Sequence, residues 1–288
     1  MSKFARVLSA LTMFAGASAG GVFLVNAAAS LPALADEEHS QTIPNFSSAN
    51  YGWLTIDDEF KPMTTGPRPI RNDPNYRYYG NQSGHQPNFR VSDAGNPVLT
   101  EWSREIMRKS NTDVIDGNFP YTFQSRCMPG GVPGQLAGVF EPVYFAQSAK
   151  EVLMMWQRDH VVRHIYMNVP HTKDPKPSWY GESVGHYEGD TLVVDTIGLS
   201  TKSFVDNWGT PHSEKLHVVE RYRLVNGGYT LQGVVTMEDP IAFTEPYSVY
   251  QQWRRQDFPM IESVCAEGVN SYYGSTDSSV PVAEKPDF

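Results

Sequence analysis

The chain is predicted to be mainly β, an antiparallel barrel or sandwich, and three observations carry that expectation. Seven runs rich in β-branched and aromatic residues follow one another beyond about residue 140. Gly, Pro, Asn and Asp punctuate them, and only one earlier stretch has helical spacing. The runs are Glu151 to Gln157, Val161 to Met167, Ser183 to Glu188, Thr191 to Ile197, Leu216 to Leu224, Tyr229 to Met237 and Ser248 to Arg254. Asn226-Gly227-Gly228 supplies the positive φ values of a tight hairpin turn, and Glu188-Gly189-Asp190 does the same one hairpin earlier. The helical stretch runs from Val98 to Lys109, with Leu99, Trp102, Ile106 and Ser103 on one face.

The first 35 residues read as a secretory signal peptide. Lys3 and Arg6 precede an apolar run from Val7 to Val25, and Ala33-Leu34-Ala35 is a small-x-small cleavage site. Its removal leaves 253 of the 288 residues, takes away two cationic side chains and no acidic ones, and moves the net charge from −9 to −11. An acidic chain without a Lys/Arg-rich stripe is a poor partner for nucleic acid or an anionic membrane, and no later segment is apolar enough to insert in one. The expected location is periplasmic or secreted.

Residues 36–110 read as an irregular arm ending in the short helix. Its aromatics (Tyr51, Trp53, Phe60, Tyr76, Tyr78, Tyr79, Phe89) argue that it packs on the core. Residues 111–274 form the β domain, and 275–288, rich in Ser, Pro and acidic residues, a flexible tail. Cys127 and Cys265, far apart in an exported chain, predict a disulfide.

Strand alternation sorts the chemistry. Val161, Arg163, Ile165 and Met167 share one face of their run, as do Leu216, Val218, Glu220, Tyr222 and Leu224. An isolated buried charge is costly, so Arg163 and Glu220 are predicted to pair in the interior. Two readings follow: an ion pair that fixes strand register, or a charged anchor at the base of a pocket. The stretch WYGESVGHYEGDTLVVDT, Trp179 to Thr196, adds Glu182, Val184, His186 and Glu188 on one face. Glu188 is close enough to orient His186 as a general base, although the same residues suit the wet face of a half-buried sheet.

Six histidines (His160, His164, His171, His186, His212, His217) invite a transition metal, yet no HExxH, CxxC or calcium-loop spacing is present. Only His164 and His217 are expected to share a short strand geometry. Gly181-Glu182-Ser183-Val184-Gly185 matches GxSxG, but a strand rather than a helix follows Ser183, so a nucleophile elbow is not expected.

CMPGGVP at Cys127 to Pro133, RHIYM at Arg163 to Met167, GESVGHYEGDTLVVDT at Gly181 to Thr196 and HSEKLHVVERYRL at His212 to Leu224 together resemble a family of exported bacterial proteins with a GxSxGxxEGDTLVVDT signature. The resemblance spans roughly Cys127 to Pro246, implies a lipocalin-like antiparallel fold in the periplasm, and brings no catalytic assignment with it.

Three functions are weighed. The first is an acid/base enzyme of the lyase or isomerase kind that needs no cofactor and acts on a small, partly apolar molecule in a barrel pocket. His186 is then the base, Glu220 its acid or base partner, Arg163 the stabiliser of negative charge, and Tyr166 or Tyr222 the proton donor. Glu182, His164, His217, Trp156, Tyr229 and Trp253 are the expected substrate contacts, with Met237 in the lining. The second is a non-catalytic small-molecule binding protein using the same cavity. The third is a histidine-ligated, metal-dependent hydrolase.

Overall fold

In the computed structural model the described residues are 43–47, 50–57, 59–76, 90–116, 127–137, 141–257 and 259–266. The expected signal peptide and tail, and Tyr78, Tyr79 and Phe89 of the arm, lie outside them.

Ten strands and one α-helix form the frame: β1 Gly52–Thr55, β2 Lys61–Pro62, α1 Glu101–Ile115, β3 Val143–Gln147, β4 Glu151–Trp156, β5 Val162–Met167, β6 Glu182–Glu188, β7 Thr191–Ile197, β8 His217–Val225, β9 Thr230–Glu238 and β10 Tyr247–Gln256. All seven expected runs are strands. From β3 to β10 each strand pairs with the next, and β1 pairs with both β3 and β10. The sheet therefore closes into a nine-strand, lipocalin-like barrel, while β2 continues the β1 seam along β10. Closure removes the exposed sheet edges that would otherwise recruit another chain.

Three features depart from the expectation. The arm is not wholly irregular, because it supplies β1, and Trp53, buried between β3 and β10, is a staple of the closure. The barrel is not antiparallel throughout: β5 and β6 run parallel over Ile165↔Ser183 to Met167↔Gly185. A parallel pair cannot be joined by a tight turn, so residues 168–181 cross back outside the barrel. The helix also begins later and buries a different face. Thr100 is its N-cap, with Oγ1 accepting from Ser103 N, while Val98 and Leu99 pair with the chain at Phe243 and Thr244. Ser103, Met107 and Val114 face inward, whereas Trp102 and Ile106 are 40 % and 38 % exposed.

Period-2 alternation turns Val152, Met154 and Trp156 of β4, Arg163, Ile165 and Met167 of β5, and Glu220 and Tyr222 of β8 into the barrel. Glycines fill the places where rings cross. A Cβ on Gly233 would lie 2.8 Å from Tyr222 Cε1 and 3.0 Å from Trp253 Cζ3. Gly233→Ala is therefore expected to destabilise by about 1–3 kcal/mol through overpacking, read as a lower urea midpoint at unchanged m-value.

The predicted Cys127–Cys265 bridge is formed, with Cα atoms 5.5 Å apart. Among the described residues no helix is long and apolar enough to cross a membrane.

Candidate functional site

The interior pair is present as expected. Arg163 and Glu220 come from β5 and β8, are 1 % and 0 % exposed, and meet as a two-pronged ion pair. Arg163 Nη1 donates to Glu220 Oε1 at 2.9 Å and Nη2 to Oε2. The other guanidinium donors are used as well: Nε on Ser183 Oγ at 3.1 Å, Nη2 on Thr196 Oγ1 at 2.8 Å, and Nη1 toward Met154 Sδ at 4.0 Å. Tyr222 donates its hydroxyl to Glu220 Oε1 at 2.6 Å. Burial works against the Arg163 charge, yet the adjacent Glu220 outweighs it and raises the guanidinium further. Burial, with the neighbouring Glu220 charge, pushes Tyr222 well above the ordinary phenol value, so it keeps its proton. A network satisfied on every side and buried in this way is suited to holding strands in register.

The other expected partners do not join it. His186 stands on the outer face of β6, half exposed, 3.1 Å from Glu188 Oε1, and Glu188 also takes Arg221 Nη2 at 2.5 Å. The register explains this: Gly185, Val194 and Glu220 form one row across β6, β7 and β8, while His186, Val193 and Arg221 form the adjacent row of opposite facing. Tyr166 and His164 lie outside too, their rings stacked at 6.3 Å, with His164 Nδ1 2.6 Å from Glu151 Oε1. Tyr229 sits in the turn before β9 and is 69 % exposed. Trp156, Trp253 and Met237 do face inward, buried. Ser183 is an interior bridge between Arg163 and Thr196 rather than an elbow.

The histidines do not gather either. His164 and His217 are separated by β6 and β7, about 14 Å at sheet spacing. His212 is buried in the loop before β8, its Nδ1 donating to Ser213 O at 2.9 Å and its Nε2 accepting from Ser203 Oγ at 2.9 Å. Burial lowers its pKa and keeps it neutral. Gly131 packs closely on Ser203: a Cβ there would lie only 2.6 Å from Ser203 Cβ. This Ser-His pair pins loops together. Among the described residues, no group of three or more His, Cys, Asp or Glu side chains is arranged to hold a metal ion.

Two histidines do meet, on a carboxylate on the outer side of β7. Asp195 Oδ2 faces His217 Nε2 of β8 at 2.9 Å, and Oδ1 faces His171 Nε2 of the crossover at 2.8 Å. His171 Nδ1 faces Glu182 Oε1 of β6 at 3.0 Å, and Thr172 donates N–H and hydroxyl to the same carboxylate at 2.7 and 2.8 Å. At the far end His217 Nδ1 lies 3.8 Å from Glu238 Oε2, beyond hydrogen-bond reach. The row Glu182, His171, Asp195, His217, Glu238 thus alternates carboxylate and imidazole across four strands and the crossover.

Three of its groups, Glu182, Asp195 and His217, are perturbed. Asp195 is held below the ordinary carboxylate range by the His217 hydrogen bond, then by His171. The Asp195 hydrogen bond raises His217 above the ordinary imidazole value against partial burial. For Glu182 burial pulls upward, but Thr172 and His171 together bring it down. The side chains of His217 and Asp195 are 36 % and 39 % exposed, so water reaches them. Val184 and Val219, the cross-strand neighbours of Asp195, give the place an apolar wall.

Of this row, the sequence expectation contains Glu182 and His217 as substrate contacts. His171 escapes it because it lies in a loop without periodicity, and Asp195 because its role depends on which strand neighbours β7. Comparison with family models, with curated proteins and with solved structures finds no match to this chain.

Proposed function

We propose that this chain is an acid–base enzyme of the lyase or isomerase kind, using its own side chains on a small, partly apolar molecule, with the reaction seated on the His217–Asp195 pair. The observation that carries this reading is a carboxylate shared by two imidazoles at a half-open place on the surface. A carboxylate can only accept, so His217 donates Nε2–H to Asp195 and, in its neutral form, carries its lone pair on Nδ1. That nitrogen takes a proton from substrate carbon, and Asp195 and Glu238 stabilise the imidazolium that forms. Positioned bases of this kind contribute about 10²–10⁴-fold. The Cys127–Cys265 bridge supports a periplasmic or secreted location, because structural disulfides persist in oxidising compartments.

The test needs no known substrate. The purified protein is incubated in D₂O with a metabolite extract of the producing cells, and mass spectrometry reads which compounds change and gain deuterium on carbon. Wild type is expected to convert at least one, with His217→Gln losing about 10²-fold or more. The neutral imidazole is the base, so the rate falls as pH drops through the raised His217 range. Asp195→Asn removes the cause of that rise and moves the acid limb to lower pH. An extract left unchanged, or a His217→Gln variant with wild-type turnover, overturns the proposal.

A non-catalytic binding protein is the second reading, favoured by the stacking of Tyr180 on Trp156 at 6.2 Å where β4 ends. In that case the same experiment recovers a bound, unaltered molecule.

A further inference from the structure

We propose that the crossover between β5 and β6, residues 168–181, is a proton-gated strap: it stays closed over Glu182 and Asp195 while His171 holds two protons, and its middle lifts when one is lost. The inference concerns the strap and does not depend on the reaction assigned above.

The strap is tied in three places. Asn168 N donates to Gly185 O at 2.7 Å where it leaves β5. At the other end Ser178 N donates to Gly198 O at 3.0 Å, Ser200 N to Ser178 O at 2.8 Å, and Pro175 rests against Gly198. Between them Lys173, Asp174, Lys176 and Pro177 are exposed, and the hold is His171 with Thr172.

The His171 half of that middle tie has a protonation requirement, and the Thr172 half depends on His171 to keep it seated on Glu182. Both ring nitrogens of His171 face carboxylate oxygens, Nδ1 toward Glu182 at 3.0 Å and Nε2 toward Asp195 at 2.8 Å. Neither carboxylate donates when ionised, so both hydrogen bonds exist only when the ring carries a proton on each nitrogen. A neutral ring donates one and turns a lone pair on the other carboxylate. The facing groups are Glu182 from β6 and Asp195 from β7; behind Asp195 stand His217 of β8 and then Glu238 of β9. Asp195 keeps its His217 bond when His171 lets go, so the barrel loses nothing and the strap alone is released. Glu182 and Asp195 are both held below the ordinary carboxylate range, which favours the ionised form that accepts from His171.

The measurement is hydrogen exchange at the Thr172 amide, which donates to Glu182, followed by NMR across pH and corrected for the intrinsic rate. The His171 ring is titrated in the same sample, and amides of β9 report that the barrel is intact. In wild type, protection at Thr172 should fall by about tenfold or more as His171 loses its proton. In His171→Gln it should be low and independent of pH, and in His186→Gln, a histidine away from the strap, it should follow wild type. Protection that is flat through the titration, a pH dependence that survives His171→Gln, or one that disappears in His186→Gln overturns the proposal.

Discussion

Glu220→Gln is expected to destabilise the protein by about 3–5 kcal/mol, because it strips a fully buried guanidinium of its counter-charge. Arg163 has nowhere to go. Its remaining partners, Ser183 and Thr196, are neutral hydroxyls that also bond to each other at 3.0 Å, and Met154 Sδ is a weak acceptor. A domain with about 5–15 kcal/mol of total stability would lose a large share of it. The companion variant separates the charge from the space it fills: Arg163→Met with Glu220→Leu and Tyr222→Phe removes both charges and the hydroxyl that Glu220 accepts from. That triple variant is expected within about 2 kcal/mol of wild type or above it, since apolar replacement of a whole buried ion pair is often neutral or stabilising. Urea unfolding of the two proteins reads the contrast. A Glu220→Gln protein within about 1 kcal/mol of wild type would show that water or another anion reaches Arg163.

Removing the Cys127–Cys265 bridge by changing both cysteines to Ser is expected to cost about 2–5 kcal/mol. The cysteines are 138 residues apart, so the bridge closes most of the described chain into one loop, for which chain entropy alone gives about 5 kcal/mol. The lost bridge also loosens a local dock. Asp159 N donates to Ser263 O, Asp159 Oδ1 accepts from Cys265 N, and Ser263 Oγ donates to Glu141 Oε1, at 2.8, 2.8 and 2.9 Å. With the bridge gone, these bonds are left to hold the segment after β10 together with Ile261 N on Gln157 Oε1. Thermal melting should show the variant's midpoint lowered, with wild type falling to the same value under reducing agent. A variant that melts with oxidised wild type would mean that the non-covalent contacts of this segment suffice.

The fold was legible where alternation is strict. Arg163 and Glu220 each interrupt an apolar set of period two, and that interruption is what marks an interior pair. His186 was not legible in the same way, because both faces of β6 are weakly apolar. Its inner positions, Ser183 and Gly185, are small because the interior is full there: a Cβ on Gly185 would lie 2.9 Å from Ile165 Cγ2. Small residues read as polar or neutral, so neither face of β6 stood out as the inner one; the wet-face reading of His186 is the one its register and exposure bear out. The outer row needed strand order. His171 reaches Asp195 only because β5 and β6 are parallel and the connection is forced back over the sheet, a consequence of pairing that no local pattern encodes. β1 and β3 were missed because they are short, four and five residues, and β1 is extended only by its partners in closure.

The division of labour between a sealed interior frame and a working outer row is tested most directly by one comparison: solvent-deuterium incorporation into the extract by the Arg163→Met, Glu220→Leu, Tyr222→Phe protein and by the His217→Gln protein, each confirmed folded. Incorporation is expected to persist in the first within about tenfold of wild type and to fall by about 10²-fold or more in the second. Loss in the triple variant with retention in His217→Gln would contradict it and return the chemistry to the barrel interior.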